Sequence, residues 1–130
     1  MVAVCIEAPK KIVRRTVVDA LAIPKGTLGR LSGANIFTAA VGSGEPFGGI
    51  SVEEKTASDG ITQIGVAVDG VWDIQNSSTV ANANGTMVCM SGANSYRACV
   101  AGDLLTGAVV GKLEELGTAS GVDRVRLLGI

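Results

Sequence analysis

The sequence predicts an all-β protein: a compact β-barrel-like body from two tandem β-units, preceded by an extended N-terminal arm. Three observations carry that expectation. Short runs of Val, Ile, Ala and Thr are separated by single glycines, 18 in 130 residues, a spacing suited to strands broken by turns and bulges. A fifteen-residue stretch, Gly26-Thr27-Leu28-Gly29-Arg30-Leu31-Ser32-Gly33-Ala34-Asn35-Ile36-Phe37-Thr38-Ala39-Ala40, returns at residues 85–99 with a constant offset of 59. Seven of its positions are identical, where chance gives about one. Helical patterning is nearly absent, with residues 112–116 as the only candidate, for about one turn.

In chain order, residues 1–21 form the arm. It holds two strand-like runs, 2–7 and 12–18, split by Ala8-Pro9-Lys10-Lys11, where the proline interrupts any ladder. The arm has no counterpart in the repeat, so the body should occupy residues 22–130, with units at about 22–79 and 80–130. Ile23-Pro24-Lys25-Gly26 is a turn signal leading into the first hairpin, whose Ser-Gly-Ala-Asn turn needs Gly for positive φ and Asn as a local cap. A loop at 41–46, a strand at 47–52, a polar turn at 53–60 and a strand at 61–68 follow. Asp69-Gly70 then joins the last of these to residues 71–74. The second unit retraces the path: hairpin 85–99, strand 106–112, a loop at 114–121 echoing 53–60, and a final strand 122–128 matching 61–67. Four short strands cannot cover their own apolar face, so the two units should close on each other.

Composition narrows the function classes. Hydrophobic residues at 47% and charged residues at 18% describe a folded chain, but only four aromatics are present, and so lean a core points to oligomerisation. A net charge of −1 provides no global field for nucleic acid or membrane, and no apolar run approaches a span. The leading apolar run stops at Glu7 and does not read as a signal peptide. Cys5, Cys89 and Cys99 read as free thiols in a reducing compartment. A hairpin turning at Gly92-Ala93 sets Cys89 opposite Tyr96 and Cys99 opposite Thr86, which disfavours a bridge.

Catalytic, cofactor and metal sites are not evident, and the expectation is a non-enzymatic protein. Histidine, the commonest general base, is missing. Cys89 among Met87, Val88 and Met90 reads as a buried, inert thiol. Glu53-Glu54 and Glu114-Glu115 recur at equivalent loop positions, as solvated charge inherited with the repeat would. The glycine-rich segments open no helix and so match no phosphate-binding motif. Trp72 reads as core or sheet packing, with an interface anchor second. The one basic cluster, Lys10, Lys11, Arg14 and Arg15, lacks the aromatics of a nucleic-acid surface. Its other readings are a solvated strand edge or an arm that docks on an acidic partner by strand addition. The candidate partner-binding residues are therefore Ile6, Lys10, Lys11, Ile12, Val13, Arg14 and Arg15.

The phrasing of the whole chain carries a resemblance. After the arm come Ala22-Ile23-Pro24-Lys25-Gly26-Thr27-Leu28, Phe47-Gly48-Gly49-Ile50, Gly65-Val66-Ala67-Val68-Asp69-Gly70-Val71-Trp72-Asp73, Val110-Gly111-Lys112 and a terminal Val125-Arg126-Leu127. Together these resemble the small capsid-cement, or head-decoration, proteins of tailed bacteriophages. The resemblance implies a β-barrel-like body on the outer face of an icosahedral head, commonly as homotrimers. It also implies an arm pairing with the major capsid protein, synthesis in the host cytoplasm, and no cofactor. The alternative is a non-enzymatic β-domain for surface or carbohydrate recognition.

Overall fold

The computed structural model describes residues 2–33, 35–40, 42, 45–78 and 81–128. Its strands are β1 (Val4–Glu7), β2 (Ile12–Thr16), β3 (Leu28–Ser32), β4 (Ile36–Ala39), β5 (Phe47–Ser51), β6 (Gln63–Ala67), β7 (Val71–Asn76), β8 (Met87–Met90), β9 (Ser95–Ala98), β10 (Val109–Leu113) and β11 (Val122–Leu127). One helical turn, α1 (Asp103–Thr106), stands between β9 and β10. The all-β expectation holds, but the helical turn is not at 112–116. Lys112 and Leu113 belong to β10, which pairs with β8 and β11 and suits the β-branched Val109-Val110. Ala34, Val41, Ser43 and Gly44, within the expected first turn and loop, lie outside the described residues, as do residues 79 and 80 at the expected unit boundary.

The strands close into two barrels. The first runs β2-β4-β3-β5-β6 and returns to β2. The second runs β7-β9-β8-β10-β11 and returns to β7, with β1 added outside it on β7. The repeat holds strand for strand. A parallel contact Thr16↔Ile36 in the first barrel becomes Gln75↔Ser95 in the second, and Arg14↔Gly65 becomes Asp73↔Arg124. Only β5 and β10 depart from the offset of 59. Leu28↔Ile50 answers to Met87↔Lys112, because the connection holding α1 is three residues longer than residues 40–46.

This topology corrects the expectation for residues 1–21. They are not an extended arm beside the body: β2 is the counterpart of β7 and closes the first barrel, while β1 is a sixth strand on the second. The unit boundary therefore falls at the Asp69-Gly70 turn, and the first unit begins with β2. Burial along β2 does alternate, with Ile12, Arg14 and Thr16 exposed and Val13 and Arg15 half-buried. An arginine at an inward position hides that period in the sequence. Pro9 separates two strands that serve different barrels.

The hairpin turns explain a second correction. Both repeated turns put Gly and Asn at positive φ, 52° and 64° at Gly33 and Asn35, 71° and 54° at Gly92 and Asn94. Asn thus serves by tolerating the left-handed region. The Ser91 amide donates to the Ser95 carbonyl (2.9 Å), so the loop has three residues, 92–94. That shifts the register by one from the two-residue turn expected: Cys89 faces Arg97, and the Cys99 amide donates to Met87. Cys89 and Cys99 become diagonal neighbours with Cα atoms 5.4 Å apart, and they form a disulfide rather than two free thiols. Cys5 remains a free, exposed thiol.

Two clusters make up most of the core. In the first barrel Val17, Ile23, Ile64 and Val66 pack around Phe37, with Val13 against them. The Phe37 ring occupies the space over Gly29, where any Cβ would overlap it. The second barrel has Val88 and Val110 at the positions of Gly29 and Gly48, and Tyr96 in place of Phe37. The larger cluster combines Trp72, Ile74, Met90, Tyr96 and Val125 of the second barrel with Leu28, Ala40, Ile50 and Ala67 of the first. Consecutive Val66 and Ala67 feed different clusters, as the pleat requires. The counterparts of Ile50 and Ala67 are Lys112 and Arg126, both exposed, so the barrels do not pack through equivalent faces. Leu28 N–H donates to Asn94 Oδ1 (2.9 Å), and Phe47 N–H to the Gly107 carbonyl (2.9 Å), which ties the units together.

Candidate functional site

The seven residues singled out in the sequence lie along β1, β2 and the connector between them. Ile6 is exposed on β1. The Lys10 and Lys11 amides both donate to Asp69 Oδ1 (3.0 and 2.9 Å), which pins the connector to the turn between β6 and β7. Ile12 and Arg14 face outward on β2, while Val13 packs on the first barrel's core. Arg14 donates to Glu53 Oε1 (2.9 Å) and to the Gln63 carbonyl (3.2 Å). Arg15 is half-buried, and its Nε is shielded from solvent without a hydrogen-bond partner. The structure therefore leaves Ile6, Lys10, Lys11, Ile12 and Arg14 exposed along this N-terminal margin of the chain, while Val13 and Arg15 are half-buried.

An apolar groove of about 480 Å³ opens beside that margin, lined by Val4, Cys5, Pro9, Ile12, Val52 and Trp72 among others. Burial pushes the Cys5 thiol above its ordinary pKa, more than the charge of Lys25 lowers it. A thiol held in its protonated form is a poor nucleophile. Trp72 is 4% exposed and donates from Nε1 to the Asp69 carbonyl (3.1 Å), so it is chiefly core.

Three polar clusters escaped the sequence reading. Lys55 is wholly buried, and its Nζ donates to the carbonyls of Asp19 (2.7 Å) and Thr56 (3.0 Å) and to Asp59 Oδ1 (3.0 Å). The Ile61 amide first, and Lys55 with it, hold the Asp59 carboxyl down at about 2. In the second barrel Tyr96 donates to the buried Asp123, which also accepts from the Thr118 amide and hydroxyl (2.9 and 2.8 Å). Burial raises the Tyr96 phenol, and the Asp123 hydrogen bond and charge raise it further. Near the disulfide, Arg97 binds Asp103 through two bonds (2.8 and 2.9 Å), and with the Val100 amide it holds that carboxyl at about 2. Cys89, Cys99 and Asp103 lie close enough to share a metal ion. Both sulfurs are spent in the disulfide, however, and the carboxylate is engaged by Arg97 and Val100, so this donor set does not suit one.

One of these clusters had a signal. At the offset of 59, Phe37 and Ile64 become Tyr96 and Asp123 together, a paired change that marks a new buried hydrogen bond. The burial of Lys55 had none, because nothing local brings Asp19 to it.

The chain matches no protein-family profile, no curated protein and no solved structure.

Proposed function

We propose that this chain is a structural virion protein that binds the outside of an icosahedral phage head and reinforces contacts between major capsid protein subunits. The observation that carries the reading is the strand-and-turn phrasing of the whole chain, which resembles phage head-decoration proteins. A body of two fused barrels is a suitable spacer between subunits, and its exposed N-terminal margin offers apolar and cationic groups to a partner. The Cys89–Cys99 disulfide suits a protein whose working life is on a virion surface. In this reading the chain is made in the host cytoplasm and sits on the head as a homotrimer. Each copy adds buried area across joints between capsomers, about a few kcal/mol per bridge, and many copies acting together make detachment rare.

Carbohydrate recognition is less well supported. Phe37 and Tyr96 are buried, Trp72 shows only an edge at the groove and Phe47 is half-buried, so no ring lies fully exposed for stacking on a sugar. The test is sedimentation of expanded heads that lack the protein after incubation with purified chain. The chain should pellet with the heads, and Lys10→Glu/Lys11→Glu should weaken pelleting. A chain left in the supernatant at micromolar concentration would remove the reading.

A further inference from the structure

The repeat allows the two barrels to be compared edge by edge. In the second, β7 has β11 along one side. Its other side meets β9 at Gln75 and Asn76, and β1 through Val4↔Asp73, Cys5↔Trp72 and Glu7↔Val71. In the first, β2 has β6 along one side and meets β4 only at Thr16. Among the described residues, no strand pairs with the other side of residues 12–14. Ile12 and Arg14 are the counterparts of Val71 and Asp73, the residues to which β1 pairs.

The phase of the hydrogen bonds agrees. Val17 N–H donates to Thr62 and Val68 N–H to Lys11, so positions 11, 13, 15 and 17 turn their backbone groups toward β6. Ile12 and Arg14 aim theirs outward. In the second barrel Leu127 N–H donates to Gly70 and Asn76 N–H to Gly121, which turns Val71 and Asp73 outward in the same phase, toward β1. The edge at residues 12–14 thus presents two N–H and two C=O groups, beside an Ile12 side chain that is 53% exposed.

We propose that the N-terminal half of β2 is a strand-acceptor edge, filled antiparallel by an extended segment of a partner chain that places an acidic residue opposite Arg14 and an apolar one opposite Ile12. The direction comes from the homologous edge, where β1 lies antiparallel on β7. The charge comes from Lys10, Lys11 and Arg14, which bracket the edge on the exposed margin. Arg14 holds Glu53 in a pair exposed on both sides, and exchanging such a pair for a partner carboxylate loses little. Added backbone bonds give affinity and the alternate side chains give specificity. The proposal names a site for the partner in the reading above, yet its test needs no capsid.

The test titrates the isotope-labelled full chain with an acetylated hexapeptide, Thr-Thr-Glu-Thr-Val-Thr, whose Glu and Val share one strand face two residues apart as Arg14 and Ile12 do, against the same peptide with Lys in place of Glu. With the acidic peptide, amide exchange at Ile12 and Arg14 should slow at least tenfold, while amides already bonded to β6 change little. The basic peptide should have no such effect. Ile12→Pro removes one outward N–H without touching the β6 ladder and should abolish the protection. Arg14→Glu should weaken the acidic peptide at least tenfold, and it decides the matter alone if the proline variant does not fold. Unchanged exchange at both amides would overturn the proposal, as would protection confined to β1. Concentration-dependent protection without peptide would also overturn it, assigning the edge to a second copy. Head binding that survives both substitutions removes this edge and leaves the capsid reading standing. Heads that never bind the chain remove that reading and leave the peptide result intact.

Discussion

A lysine ammonium without solvent contact survives only where oxygens replace its water, and Lys55 has found them in two carbonyls and the Asp59 carboxylate. It ties the loop after β5 to the segment after β2, where the Ile23 and Lys55 backbones also exchange hydrogen bonds. The second barrel keeps that backbone contact, with Gly117 N–H on the Asn82 carbonyl, but has no side chain to bury there. Lys55→Met should lower stability by about 3 kcal/mol, the low end for breaking a buried pair, because Asp59 can reach water. Urea unfolding would show it as a lower midpoint with an unchanged slope. Acid should act at the same level. Asp59 and Asp103 titrate at about 2 in the folded chain, below the value of about 4 expected unfolded. Their contribution is therefore complete above pH 4 and lost as pH falls toward 2. The melting temperature should drop across that window, and Asp103→Asn should flatten the drop.

Among the elements, the hairpins show how far a sequence can be read. The duplicated Ser-Gly-Ala-Asn located both turns correctly, but whether the loop has two residues or three is decided by the closing Ser91–Ser95 bond. That single residue of register separates two free thiols from a disulfide. Alkylation of the folded, unreduced chain should label Cys5 alone, and three sites should label after reduction in denaturant. Opening the Cys89–Cys99 link, with a separation of 10, should reduce stability by roughly 2.5 kcal/mol on the loop-entropy estimate. The N-terminal strands were legible as strands but not as members of the body. Apart from the single Thr16↔Ile36 contact, their partners lie about 50 or more residues away, and the inward Arg15 masks the period of β2. Two truncations separate their roles. Deleting residues 1–8 removes β1 and should leave both barrels closed, with a cooperative melt. Deleting residues 1–19 also removes β2, opens the first barrel, and should leave a chain without a cooperative transition.

At the scale of the molecule, duplication built one body from two barrels and then allowed their faces to diverge. The wall of the first barrel carries Leu28, Ala40, Ile50 and Ala67 into the shared core, and each such aliphatic side chain, buried, contributes about 1.5–3 kcal/mol for the larger ones. The equivalent wall of the second barrel carries Lys112 and Arg126 to solvent. The edges diverged as well, since β1 lies on β7 while its counterpart position on β2 is open among the described residues. Both asymmetries depend on how the units dock, which is why the repeat announced the body and not its free surfaces. The reading of this body as capsid cement is tested most directly by stoichiometry and heat resistance together. On that proposal, heads of the phage it implies should carry the chain in numbers near that of the coat subunit, and heads made without it should release their DNA at a lower temperature. Heads that contain none of the chain, or that lose it with no change in heat resistance, would contradict the account.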